Sequence, residues 1–162
     1  MNMVSYGGKS NKIGIIGVGN AFMGDDGIGC AVVEELKKKS LPKNISVIDI
    51  GASIWNLFHI LSKFDAVIIV DAVDFGGVPG ETHCFSPEGI DSLKHTHSLS
   101  IHESNLLDII KISRELSENP KKIVIFGIQP ATIVPSTELS LALKTKLSKI
   151  TMEILEILRH IA

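Results

Sequence analysis

The sequence predicts a three-layer α/β/α sandwich on about five strands, mostly parallel, with one antiparallel strand at an edge. Three observations predict it. Four short runs rich in Ile and Val suit strands buried on both faces, and helical patterns separate them. A dense glycine and proline turn then leads into a fifth strand too quickly for a crossover helix. Strands and helices that alternate through right-handed crossovers give a parallel sheet covered on both faces.

The apolar runs are 12–18 (KIGIIGV), 45–50 (ISVIDI), 66–70 (AVIIV) and 123–128 (IVIFGI). Helical patterns fill 26–39, 53–62, about 101–117 and 138–160. The last carries Leu139, Leu143, Leu147, Ile150, Ile154, Ile157 or Leu158, and Ile161 three or four residues apart, an apolar stripe that must face a core. Gly76-Gly77-Val78-Pro79-Gly80 is the turn, and 81–85 (ETHCF) is the predicted antiparallel edge strand. Residues 86–100 form the least regular stretch; its polar, His-containing tail KHTHSLS reads as a loop over the sheet edge.

A length of 162 residues against a typical domain of roughly 150 predicts one domain over 1–162, with 1–11 as a polar tail. Hydrophobic residues make up 44% and charged residues 21%, which excludes a disordered, collagen-like or coiled-coil chain. Sixteen Lys and Arg against eighteen Asp and Glu leave a net charge of -2. That balance lacks the basic excess a phosphate backbone demands, so nucleic acid is not an expected partner. Cys30 and Cys84 lie far apart, in a predicted helix and a predicted strand, and form neither a disulfide framework nor a metal knuckle. The tail has no signal-peptide core and no run approaches about twenty apolar residues, so a cytoplasmic protein without membrane insertion is expected.

Functional groups in a parallel sheet gather beyond the carboxyl ends of its strands. After the first strand comes Gly17-Val18-Gly19-Asn20-Ala21-Phe22-Met23-Gly24-Asp25-Asp26-Gly27-Ile28-Gly29, and after the third comes Asp71-Ala72-Val73-Asp74. His95, His97 and His102 precede or open the third helix. Gly17-x-Gly19 is not a dinucleotide fingerprint, because Gly24 follows Gly19 by five residues instead of three. A pyrophosphate would also meet Asp25 and Asp26 at the helix start, where two carboxylates repel an anion. The only acid available for a ribose, Asp49, lies thirty residues beyond Gly19.

Asp25 and Asp26 taken alone could simply cap the helix and complement its dipole. A strand-end Asp is often a turn former, and a loop His is often solvated. Yet Asp71 and Asp74 converge on the same edge, and like charges gathered there need a cation. Two carboxylates with one imidazole form an O, O, N set that suits nickel, zinc or iron(II) and leaves coordination positions open.

These residues resemble the hydrogenase maturation proteases, endopeptidases that trim the C-terminal extension from the large subunit of nickel-iron hydrogenases. The resemblance runs from Lys12 to about Leu158. It rests on Gly17-Val18-Gly19-Asn20 with Met23-Gly24-Asp25-Asp26-Gly27-Ile28-Gly29, on Ile69-Val70-Asp71-Ala72-Val73-Asp74, on Pro79-Gly80-Glu81 and on Phe126-Gly127-Ile128-Gln129-Pro130. The family's nickel-sensing ligands are an acid in the glycine-rich loop, an Asp ending the third strand and a His before the next helix. They carry over to Asp26, Asp71 and His102, which the resemblance makes both metal-contacting and catalytic. His97 is the alternative imidazole, because Thr96-His97 also resembles some members. His102 is preferred because Leu106, Ile109 and Ile110 then keep one helical face apolar.

The resemblance implies an aspartic-type endopeptidase whose substrate is the nickel-loaded precursor of a [NiFe] hydrogenase large subunit. The nickel is carried by that substrate and serves as its recognition element. A noncatalytic nickel- or partner-binding protein on the same fold is the alternative. No Ser-His-Asp set, GxSxG elbow or HExxH helix is readable. The water-activating step is left to a carboxylate acting as base or to a metal polarising the scissile carbonyl.

Overall fold

In the computed structural model, the described residues are 11–93, 101–116 and 120–161, and of these the side chains of 91–93 and 101–105 stand outside the description. Five strands form one sheet: β1 (Ile13–Val18), β2 (Ile45–Gly51), β3 (Ala66–Ala72), β4 (Thr82–Phe85) and β5 (Lys122–Ile128). They stand in the order β2-β1-β3-β5-β4. Three pairings are parallel, as expected: β1 runs parallel to β2 and β3, and β3 runs parallel to β5. β4 closes the edge antiparallel to β5, with Thr82 opposite Ile128.

The sequence writes this sheet through burial. Every residue of β1 and β3 is buried, as strands between two helical layers must be. Alternate side chains then go to opposite faces. Ile13, Ile15, Ile68, Val70 and Phe126 pack with α1 (Ile28–Lys37) and α5 (Leu141–Ile161). Ile16, Val18, Val67, Ile69 and Ile125 pack on the other face with α2 (Asn56–Leu61), α3 (Pro87–Leu93) and α4 (Ile101–Glu115). No helix among the described residues is long and apolar enough to cross a membrane.

Three local expectations are corrected. The first helix does not start at Asp26: Gly24–Gly27 is a 3₁₀ turn, and α1 follows from Ile28. The last starts at Leu141 rather than Glu138, because the Ser140 hydroxyl accepts the Leu143 N–H at 3.4 Å and caps the helix there. The stretch read as irregular contains α3, whose start Ser86-Pro87 carries its own signals. The Ser86 hydroxyl accepts the Gly89 N–H at 3.1 Å, and proline fits the first helical position. Residues 94–100, the His-containing tail, lie outside the described residues.

The strand order places the candidate site. From β1 the chain passes to β2 on one side through α1, then crosses back to β3 on the other. The crevice between the carboxyl ends of β1 and β3 is therefore the topological switch point, where open α/β sheets bind ligands.

Candidate active site

Asp26 reaches this crevice from the turn that follows β1, and Asp71 from the end of β3. β1 and β3 remain in register up to Gly17 opposite Val70, so Asp71 stands one residue beyond the last pair. The first turn of α1 lies directly over the two strand ends. A Cβ on Gly29 would fall 2.3 Å from the Val18 carbonyl oxygen and 2.4 Å from that of Val70, so only glycine lets the helix descend this far. Asp71 shares the sheet face of Val67, Ile69 and Val73, the face covered by α2, α3 and α4.

Asp25 and Asp26 do different work, and neither caps a helix. Asp25 is fully buried. Its Oδ2 accepts the N–H groups of Ala131 at 2.8 Å and Thr132 at 3.2 Å, and its Oδ1 accepts that of Ser140 at 2.7 Å. The carboxylate thus binds the 3₁₀ turn to the segment after β5. Backbone bonds reinforce the junction: Gly24 N–H donates to the Ser136 carbonyl at 2.9 Å, and Ser136 N–H to that of Phe22 at 3.0 Å. Asp26, 3% exposed, accepts the Asn20 N–H on Oδ2 at 2.8 Å. Gly19, at a φ of 128°, brings its backbone against the Asp26 carbonyl, which a Cβ would meet at 1.9 Å. Asp71 is buried as well, and its Oδ1 accepts the Ala72 N–H at 2.8 Å.

Asp74, the other acid expected here, serves its own loop. Its Oδ1 accepts the Gly76 N–H at 3.1 Å and a Gln129 amide N–H at 3.0 Å. Gln129 entered the sequence reading only as part of a motif and was given no role there, although a buried polar side chain closing an apolar strand was the available signal. Its Oε1 accepts the N–H groups of Phe75 and Gly77, each at 3.0 Å, and its Nε2 also donates to the Pro130 carbonyl at 3.3 Å. Both donors and both acceptor positions of the amide are engaged.

His102 is the second residue of α4. That helix is fifteen residues long, about 22 Å at 1.5 Å per residue, and β5, which follows it, is seven residues long, about 23 Å at 3.3 Å per residue. A helix descending to the start of β5 therefore begins level with the carboxyl ends of the strands. On these lengths, the backbone of His102 falls at the same end of the sheet as Asp26 and Asp71. The His102 side chain, and all of His95 and His97, lie outside the described residues. Among the described residues, no three His, Cys, Asp or Glu side chains form a metal-holding group.

A model of the family described as hydrogenase maturation protease matches residues 30–157. The chain belongs to the hydrogenase maturation protease family. Its relatives include the hydrogenase 2 maturation protease of Escherichia coli, 29% identical over 151 residues, which cover 92% of each protein. The solved structure of the maturating endopeptidase HybD from E. coli superposes with a TM-score of 0.81 at 26% identity, over 92% of this chain and 93% of that one. The HupD protein of Bradyrhizobium diazoefficiens is 28% identical over 123 residues, 75% of this chain. The chain spans only 64% of HupD. The match to the family model begins after the glycine-rich turn, so the contribution of Asp26 rests on the geometry above.

Proposed function

We propose that this family member is an endopeptidase that removes the C-terminal extension from the nickel-loaded precursor of a [NiFe] hydrogenase large subunit in the cytoplasm. The observation that carries the reading is the division of labour at the switch point. Asp25 is engaged by three backbone donors, and Asp26 and Asp71 are two separate carboxylates at the crevice between β1 and β3. A carboxylate pair is the donor set that a borderline divalent cation accepts, and the imidazole of His102 would complete it. The nickel belongs to the substrate and supplies a Lewis-acidic centre near the bond to be cut.

Recognition through that cation makes physical sense of the selectivity. Ordinary pockets contacting the extension would not separate a nickel-loaded precursor from an empty one, since the extension is the same in both. Discrimination needs a contact that differs between the two, and Asp26, Asp71 and His102 would contact that cation only in the nickel-loaded precursor. An ionised carboxylate in the same crevice also offers a base for the attacking water.

Replacing Asp26 with Asn keeps the shape and an oxygen for the Asn20 N–H while removing a ligand charge. Cleavage of the nickel-loaded precursor, followed by mass spectrometry, is expected to fall more than about a hundredfold, with an unchanged thermal melt. Wild-type rates in that variant would remove Asp26 from the site. A wild-type protein that binds the precursor without shortening it would replace the protease reading with the noncatalytic one.

A further inference from the structure

The four parallel strands begin level with one another. Ile13 stands opposite both Ile45 and Ala66, and Ala66 opposite Lys122, so the first residues of β2, β1, β3 and β5 form one line across the sheet. A lysine shortly precedes each of those starts: Lys43 before β2, Lys12 before β1, Lys63 before β3 and Lys121 before β5. All four are exposed. At about 4.8 Å between neighbouring strands, the row is about 14 Å long.

Two clefts open along this row. The first, about 560 Å³, is lined by Lys12, Lys43, Asn44, Ser46, Lys63 and Phe64. The second, about 490 Å³, shares Lys12, Lys63 and Phe64 with it and reaches Lys121. The Phe64 ring between them lies against the backbone of β1, where a Cβ on Gly14 would meet it at 2.9 Å. Among the described residues no acid lines the first cleft, and the one acid on the second, Asp65, accepts the Lys12 N–H on Oδ2 at 2.8 Å. None of the four lysines forms an ion pair with another described residue, whereas Lys37, Lys38, Lys144 and Lys149 each do.

Helix dipoles do not account for the row. A lysine in or just after the last turn of a helix offsets the partial negative charge there, and Lys63 stands just past the end of α2. Lys43 and Lys121 stand well beyond the ends of α1 at Lys37 and α4 at Glu115, and Lys12 follows no helix among the described residues.

We propose that this row is the docking site for an extended acidic segment of a partner protein. The sign of the charge calls for an anion, and its layout gives the shape. The lysines follow a line instead of converging on one point, so a single phosphate would reach only part of it. An extended chain of about five residues, at about 3.3 Å each, spans it all. A net charge of -2 over the whole chain disfavours a long nucleic acid, which needs a broad basic excess. Lysine also lacks the planar fork with which arginine grips one carboxylate through two bonds, so recognition rests on the number and spacing of carboxylates. The length of β1 and β3, six and seven residues, separates the row from Asp26 and Asp71 by about 20 Å. The partner therefore binds while the carboxyl end of the sheet stays open, and the inference does not rest on the protease reading.

The probe is a fluorescently labelled hexaglutamate peptide, titrated at constant ionic strength against the intact protein, with hexaglutamine as the uncharged control. Lys12→Glu with Lys63→Glu reverses the two lysines common to both clefts, and Lys43→Glu with Lys121→Glu reverses the two at the ends of the row. Lys144→Glu with Lys149→Glu makes the same change in net charge on α5, outside both clefts. Each row pair is expected to weaken hexaglutamate binding at least about tenfold, and the α5 pair less than about twofold. Hexaglutamine should not bind. Thermal melts accompany each titration, and should one row pair melt early, the other decides. Hexaglutamate that fails to bind wild type, or that loses affinity equally in the row pairs and the α5 pair, overturns the proposal. Tripolyphosphate that binds more tightly than hexaglutamate, and is lost in the same row variants, assigns the row to a phosphate ligand and overturns the polypeptide occupant.

Discussion

Asp25 and Asp26 are the same residue type one position apart, and their surroundings give them different tasks. The three N–H donors on Asp25 come from residues 106 to 115 positions away, which makes it the fastening between the glycine-rich turn and the end of the sheet. Substituting Asp25 by Ala would strand those donors in a buried place and lower stability by about 3 kcal/mol, read as a fall in the urea midpoint. Asp26→Asn, by contrast, is expected to leave the midpoint in place and abolish processing. The sequence made the pair visible as acids following an apolar strand, and made Asp71 visible for the same reason. Spacing alone could not divide their roles, and only the family resemblance singled out Asp26, because the donors that occupy Asp25 lie more than a hundred residues along the chain. The bonding of Gln129 was illegible for a related cause: its partners Phe75, Gly77 and Asp74 belong to a loop more than fifty residues earlier, which the pairing of β3 with β5 brings near.

At the scale of elements, the site depends on how low α1 sits over β1 and β3. Gly29 allows that depth, and its neighbours are backbone carbonyls with no freedom to yield. A Gly29→Ala variant must lift the helix and with it the turn that carries Asp26. A loss of about 1–3 kcal/mol is expected, read from denaturant midpoints, together with slower precursor cleavage at a temperature where the variant is still folded. Full-rate cleavage with the predicted loss of stability would show that the exact height of α1 is immaterial to the chemistry. The strands and long helices were legible because each has a single dominant period: continuous apolar runs for β1 and β3, and a three-to-four-residue stripe for α5. α3 escaped because seven residues offer no room for a stripe, and Gly89 in its first turn argued against a helix. The Ser86 cap and Pro87 were the better signal.

Across the whole molecule, charge is separated along the strand direction. Among the described residues, Lys12, Lys43, Lys63 and Lys121 line the clefts at the amino ends of the strands with a single acid, Asp65, while Asp26, Asp71 and Asp74 stand at the carboxyl ends. On the proposed reading, a precursor approaching with its metal exposed would meet the acidic end with favourable long-range attraction, an effect that weakens as salt rises. The same acidic end shapes the one buried thiol behind the glycine-rich loop. Burial, followed by the nearby Asp49 carboxylate, pushes the Cys30 thiol from its ordinary 9.0 up to about 12, and its Sγ lies 3.5 Å from the Gly19 carbonyl. Folding thus favours the protonated thiol. Its contribution to stability is fully present below pH 9, where the unfolded chain is also protonated. It is lost as pH rises from 9 towards 12, because over that window only the unfolded chain releases the proton. Urea midpoints measured from pH 8 to pH 11 should decline for wild type and decline less for Cys30→Ala, whose starting stability is lower. At pH 8 an alkylating reagent should modify exposed Cys84 well before Cys30, and Cys30 should react on the timescale of unfolding, since so little of it is thiolate while folded. Equal alkylation rates for the two thiols in the native protein, or parallel alkaline slopes for the two proteins, would show that the glycine-rich loop opens to solvent far more readily than its packing against β1, β3 and Asp26 implies.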